Sequence, residues 1–159
     1  MHALGLLFID SVSGDWAESR EALDFLVEAS GEQVLLAPLA WSHAATGDEA
    51  RSHQVLARLR PSNLERFGEH IIGGNALIAY AEAALLLDDA ALVARATDLL
   101  RPYGHLVLGT PWACSFAAAD SLSRLAARRG DTRSEEVHRA TAESLYRSLG
   151  APALLSRQA

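Results

Sequence analysis

The sequence has no lysine, and all 14 of its basic residues are arginine, against 20 acidic ones. A net charge of −6 with so few cations excludes the concentrated positive patch on which nucleic-acid binding relies. Cysteine is nearly absent. Cys114 alone forms neither an internal disulfide nor a thiolate metal cluster, and a reducing, cytoplasmic setting fits. Aromatic residues are only 6 % of the chain, which disfavours a β-rich fold, since strands favour aromatic and β-branched side chains. Long hydrophobic runs are missing too. The run Ala3 to Ile9 is short, lacks a basic leader and is followed by Asp10, so it reads as neither a membrane span nor a signal peptide.

What is present is alanine and leucine, good helix formers, in a chain of 159 residues that suits one domain. The apolar residues recur at three- and four-residue steps, the stripe of amphipathic helices. Met1 to Val12 gives a first helix and Asp15 to Ser30 a second, opened by a capping box between Asp15 and Glu18 and striped by Trp16, Ser19, Leu23, Leu26 and Val27. Val34 to Thr46 follows, with Pro38 in its first turn, then Glu49 to Leu59. Pro61 to Gly68 reads as a polar connection. Glu69 to Leu87 is the most apolar segment and therefore central. Gly73-Gly74 weakens its early turns by roughly 1 kcal/mol per glycine, which moves the expected start to Asn75 as a cap and leaves a flexible helix entry. Ala90 to Leu100 ends at Arg101-Pro102, Tyr103 to Pro111 is a loop, and Ser115 to Arg129 and Thr132 to Leu149 form the last hairpin. Pro152 to Ala159 adds a closing turn.

Helix-stopping pairs begin at Gly14, Gly47, Asp88 and Gly130, separated by 33, 41 and 42 residues, and Arg60-Pro61 and Arg101-Pro102 lie 41 apart. Such a period with two helices per unit is that of stacked helical hairpins, because one hairpin cannot bury both faces alone. The expectation is a single all-α domain over residues 1–159, a solenoid of about four antiparallel hairpins at 1–31, 34–61, 69–102 and 112–150.

The unit resembles a tetratricopeptide repeat. Leu100-Arg101-Pro102-Tyr103, Leu125-Ala126-Ala127-Arg128-Arg129-Gly130, His138 and Leu149-Gly150-Ala151-Pro152 are similar to the C-terminal end of large bacterial signal-transduction ATPases, including those with cyclase or LuxR-type modules. The likeness covers about Ala76 to the end. It implies a scaffold or sensing segment, standalone or severed from a larger regulator, without the ATPase, cyclase or DNA-binding parts. Where the repeat pattern wants a small alanine, this chain has Ser19, Ser52, Val93 and Glu135.

The expected function is therefore non-enzymatic, with no cofactor or metal, and with a protein or peptide as partner. Partner-binding candidates are Tyr103 and His105 in the long loop, Trp112 beside it, and His138 near the middle of the last helix, which reads as a packed or rim residue. Trp16 and Trp41 lie beside apolar stripes and are expected to pack between hairpins. Glu135, Arg139, Glu143 and Arg147 read as a self-paired, solvated face. A groove that binds a small effector is the alternative function. A helical-bundle enzyme using Glu69, His70 and Asn75 ranks third, because adjacent helical side chains diverge by about 100°. Gly73-Gly74-Asn75 as an anion site lacks the preceding strand and the lysine of a phosphate loop. Self-association through the apolar run Ala3 to Ile9 is a further expectation, as repeat arrays need polar terminal caps.

Overall fold

Among the described residues, three hairpins are punctuated by the same local chemistry. A residue in the left-handed conformation ends one helix and the aspartate after it caps the next. Gly47 (φ 80°) precedes Asp48, whose carboxylate accepts from the Arg51 N–H at 3.1 Å; Gly130 (φ 71°) precedes Asp131, which accepts from the Ser134 N–H at 3.1 Å. In the third unit Asp88 itself takes the left-handed conformation at φ 53°, and Asp89 accepts from Ala91 and Leu92. A short polar side chain tolerates this region better than most, and Arg128 of the next hairpin pairs with the Asp88 carboxylate.

The structure is a computed structural model that describes residues 16–67, 72–110, 113–151 and 154. Its helices are α1 (Ala17–Ser30), α2 (Leu36–Ala45), α3 (Glu49–Leu56), α4 (Pro61–Arg66), α5 (Gly73–Leu86), α6 (Ala90–Leu100), α7 (Ala118–Arg128) and α8 (Thr132–Ser148). Single 3-10 turns stand at Gln33–Leu35 and Arg101–Tyr103. The expected helix at Met1 to Val12, its Ser13-Gly14 stop and the self-association surface at Ala3 to Ile9 lie outside the described residues.

The protein is mostly helical, built from packed helix pairs. Helices α2/α3, α5/α6 and α7/α8 pair as hairpins, and α2 packs along α5, which also meets α7. As its apolar circumference requires, α5 is central, buried from Asn75 through Ala84. Trp41 of α2 meets the Trp16 ring edge-on at 5.2 Å and Phe116 at 6.5 Å, so both tryptophans pack between elements as expected. Ser19, Ser52 and Val93 are buried at the close helix contacts, and Ser52 donates to the Ala40 carbonyl at 2.8 Å. Glu135 instead stays part-exposed and pairs with Arg139, as Glu143 does with Arg147 at 2.7 Å.

Three expectations fail. Residues 61–66 form α4 rather than a polar connection, because Pro61 suits the first helical position and Leu64 and Phe67, three apart, are buried anchors. The loop from Tyr103 to Pro111 and the start of the last hairpin at Ser115 give way to antiparallel strands β1 (Val107–Thr110) and β2 (Ala113–Ala117), so α7 begins only at Ala118. The capping box between Asp15 and Glu18 rests on Asp15, which lies outside the described residues; α1 begins at Ala17. The entry to α5 is not capped by Asn75. The helix starts at Gly73, where an added Cβ would stand 1.4 Å from the Phe67 carbonyl oxygen, and at Gly74 one would meet Leu108 at 3.2 Å.

Candidate functional site

Three places combine burial, charge and space. The first is the junction of α5, α7 and α8. Glu82 is a carboxylate inside the most apolar helix, only 4 % exposed, and Arg124 Nη1 donates to both its oxygens at 2.8 and 2.6 Å. The Ser121 hydroxyl adds a third bond at 3.3 Å. Burial works against the Arg124 charge, but the Glu82 charge and hydrogen bond outweigh it, so the guanidinium pKa lies above its ordinary value. One turn back, buried Asp120 accepts from the Tyr146 hydroxyl at 3.2 Å, which itself accepts from the Ala117 N–H at 3.0 Å. The network ties β2, α7 and α8 together. Phenylalanine at position 146 is expected to lower the unfolding free energy by about 2 kcal/mol in urea titrations, since two buried polar groups would each lose this partner.

The second place is His43 on α2, 6 % exposed, with no hydrogen bond to either ring nitrogen. Asp48 lies 3.7 Å from Nδ1 and Asp24 4.0 Å from Nε2. Burial lowers the His43 pKa, the two aspartates pull it back up, and Arg51 and Arg20 lower it further, with a net downward shift. His138 is shifted down too, by burial first, with Asp131 opposing and Arg101 assisting. In both cases the unfolded chain takes up protons more readily than the folded one. Their stabilising contribution is therefore complete above the ordinary value of 6.5 and declines as pH falls below it. The urea midpoint is expected to drop between pH 7.5 and 5.5, and replacement of both histidines by glutamine should flatten that slope.

The third place is space at the surface. Helices α3 and α6 do not pack along each other. They leave a cleft of about 350 Å³, floored by Leu56, Leu59, Leu64, Leu92 and Tyr80 and edged by His53, Ala57 and Arg95. Burial raises the Tyr80 pKa, Arg95 opposes this and Asp89 adds to it, so the hydroxyl stays protonated. A more polar cavity of about 430 Å³ lies between the turn at residues 30–34 and Asn63, Arg66 and Phe67.

No family model, curated protein or solved structure matches this chain.

Of the partner-binding candidates, Tyr103 is half-buried against the core and His105 is exposed, and His138 is half-buried, close enough to Arg101 to feel its charge. Trp112 lies outside the described residues. Neither cavity above is lined by Tyr103, His105 or His138. Among the described residues no group of three or more His, Cys, Asp or Glu side chains is placed to hold a metal ion. No helix of the described residues is long and apolar enough to cross a membrane.

Sequence reasoning passed over Glu82 with Arg124 and the α3/α6 cleft. A readable signal existed for the first: Glu82 is the only acid between Asn75 and Leu87, an expensive placement unless paired. For the cleft none existed, since periodicity assigns Leu56 and Leu92 to inward faces without saying whether the two helices close over them.

Proposed function

We propose that the chain is a non-enzymatic, tetratricopeptide-like protein-interaction domain, a scaffold or regulatory segment of the kind its repeat resembles. The observation that supports this reading most is the succession of capped hairpins joined through their first helices, α2 to α5 to α7, with the second helices α3 and α6 held apart over an apolar floor. Open apolar clefts between helices are sites where peptides seat side chains. A purified, folded chain is expected to bind a subset of an unbiased peptide array saturably, with affinities confirmed by titration calorimetry. Failure to bind any peptide on the array would remove the reading.

A second reading, a sensor of a small effector, draws on the polar 430 Å³ cavity, whose lining mixes Glu32, Gln33, Asn63 and Arg66 with Phe67 and Val34. A ligand at 100 times its dissociation constant raises stability by about 2.7 kcal/mol, so a thermal-shift screen against metabolite pools reads this directly. A flat response across the pools would remove it.

A further inference from the structure

His43 stands where α1, α2 and the turn into α3 meet, and its surroundings suit neither of its charge states. A neutral imidazole carries one N–H donor and one acceptor nitrogen, yet neither ring nitrogen of this buried residue is hydrogen-bonded. As a cation the ring would face Asp24 of α1, 4.0 Å from Nε2, and Asp48 of the turn, 3.7 Å from Nδ1. Those carboxylates are 40 % and 52 % exposed, so water screens their attraction, and Arg20 of α1 and Arg51 of α3 bring like charge to the same place. Helix α5 also packs along α2, but of its titratable side chains Tyr80 stays neutral and Glu82 is held by Arg124, so neither adds charge at His43. The element free to give way is α1. Only Ser19, Leu23 and Val27 of its 14 residues are buried, against 11 residues in α5 of the same length. Among the described residues α1 packs chiefly on α2 and the 3-10 turn at Gln33–Leu35. An element with so little buried surface opens well below the free energy of global unfolding.

We propose that His43 is an acid-sensitive latch: uptake of a solvent proton by the ring nitrogen that lacks one releases α1 from α2, while the helices from α2 onward stay folded. Asp24 and Arg20 leave with α1, so its departure opens the Nε2 side of the ring to water and hydrates the imidazolium, which the packed state cannot do. The same movement uncovers the apolar surface against which Leu23 and Val27 pack. One proton sets a ceiling on the effect. With the ordinary imidazole value of 6.5 in the released state, the opening equilibrium rises at most about tenfold between about pH 7.5 and about pH 5.5.

Hydrogen exchange read by mass spectrometry at those two pH values, corrected for the intrinsic exchange rate, reports the opening of each helix separately. Peptides from α1 are expected to lose protection about five- to tenfold at the lower pH, while those from α5 and α7 keep theirs. His43→Gln removes the titrating group and should give α1 one opening constant at both pH values, with unchanged protection in α5 showing that the variant is folded. Asp24→Asn, at a part-exposed position, removes an attraction that only the charged ring feels, so it should bring the loss in α1 closer to the ceiling. His138→Gln on α8 should leave the response of α1 as it is. The proposal is overturned if α1 protection is constant or rises as pH falls, or if α5 and α7 lose protection in step with α1. It is equally overturned if His43→Gln keeps the pH response, if His138→Gln abolishes it, or if Asp24→Asn makes the loss in α1 smaller than the parent's.

Discussion

Replacing Arg124 with alanine is expected to cost about 3 kcal/mol of unfolding free energy, because it removes the guanidinium that neutralises a buried carboxylate. Glu82 has both oxygens bonded to Arg124 Nη1, and its side chain is 5 % exposed, so water cannot take over the bonds that are lost. Only the Ser121 hydroxyl, at 3.3 Å, would remain of the bonds traced from Ser121 and Arg124. The reverse deletion is not symmetric. In Glu82→Leu the guanidinium, 34 % exposed, can turn outward and keep its hydration, and leucine fills space in a helix that is otherwise apolar. That variant should therefore lie within about 1.5 kcal/mol of the parent, and the double variant Glu82→Leu with Arg124→Ala should be more stable than Arg124→Ala alone. Equilibrium denaturation of the four proteins measures the coupling. A loss below about 1 kcal/mol in Arg124→Ala would mean that water reaches the carboxylate and that the pair is not structural.

This pair also marks the limit of what the chain discloses about itself. The stop-and-cap punctuation was legible because its chemistry is local: a glycine in the left-handed region and a carboxylate two or three residues before a free N–H act within one turn. Asp88 could be read in the same role as Gly47 and Gly130, and it adopts the same conformation. The apolar stripe of the last hairpin was legible for the same reason, with Ala119, Leu122, Leu125 and Ala126 all buried. By contrast Arg124 and Glu82 are 42 residues apart, and nothing in either neighbourhood names the other. The two strands failed to register because Val107 to Thr110 and Ala113 to Ala117 are too short for their alternation to compete with the helical period beside them, and strand pairing depends on context more than helix formation does. Helix α4 was masked by Ser62, Asn63, Glu65 and Arg66, whose polarity resembled a linker while Leu64 and Phe67 anchored it.

The candidate site divides along the same line. The cleft between α3 and α6 was not legible, because Leu56, Leu59 and Leu92 read as inward-facing residues whether or not the two helices close over them. The loop aromatics drew attention for the opposite reason: residue type suggested binding, and packing put Tyr103 half into the core instead.

Gly73 carries the second large effect, and it reverses what glycine at a helix start suggests. In isolation Gly73→Ala should stabilise a helix by roughly 1 kcal/mol through propensity and lower unfolded-state entropy. Here the methyl carbon would stand 1.4 Å from the carbonyl oxygen of Phe67 and 2.4 Å from its carbonyl carbon. Those are backbone atoms, which cannot swing aside as a side chain would. Phe67 itself is held, 4 % exposed in the core with Leu64. The clash can be relieved only by moving the end of α4 away from the entry of α5, and overpacking of this kind costs about 3 kcal/mol, enough to outweigh the gain in propensity. At Gly74 the nearest atoms belong to the Leu108 side chain at 3.2 Å, which can give by a few tenths of an ångström, so Gly74→Ala should cost much less. Paired urea titrations of the two variants separate close packing from helix propensity: if Gly73→Ala matched or exceeded the parent in stability, the contact between α4 and α5 would not be as drawn, and the floor that Leu64 contributes to the cleft would have to be redrawn with it.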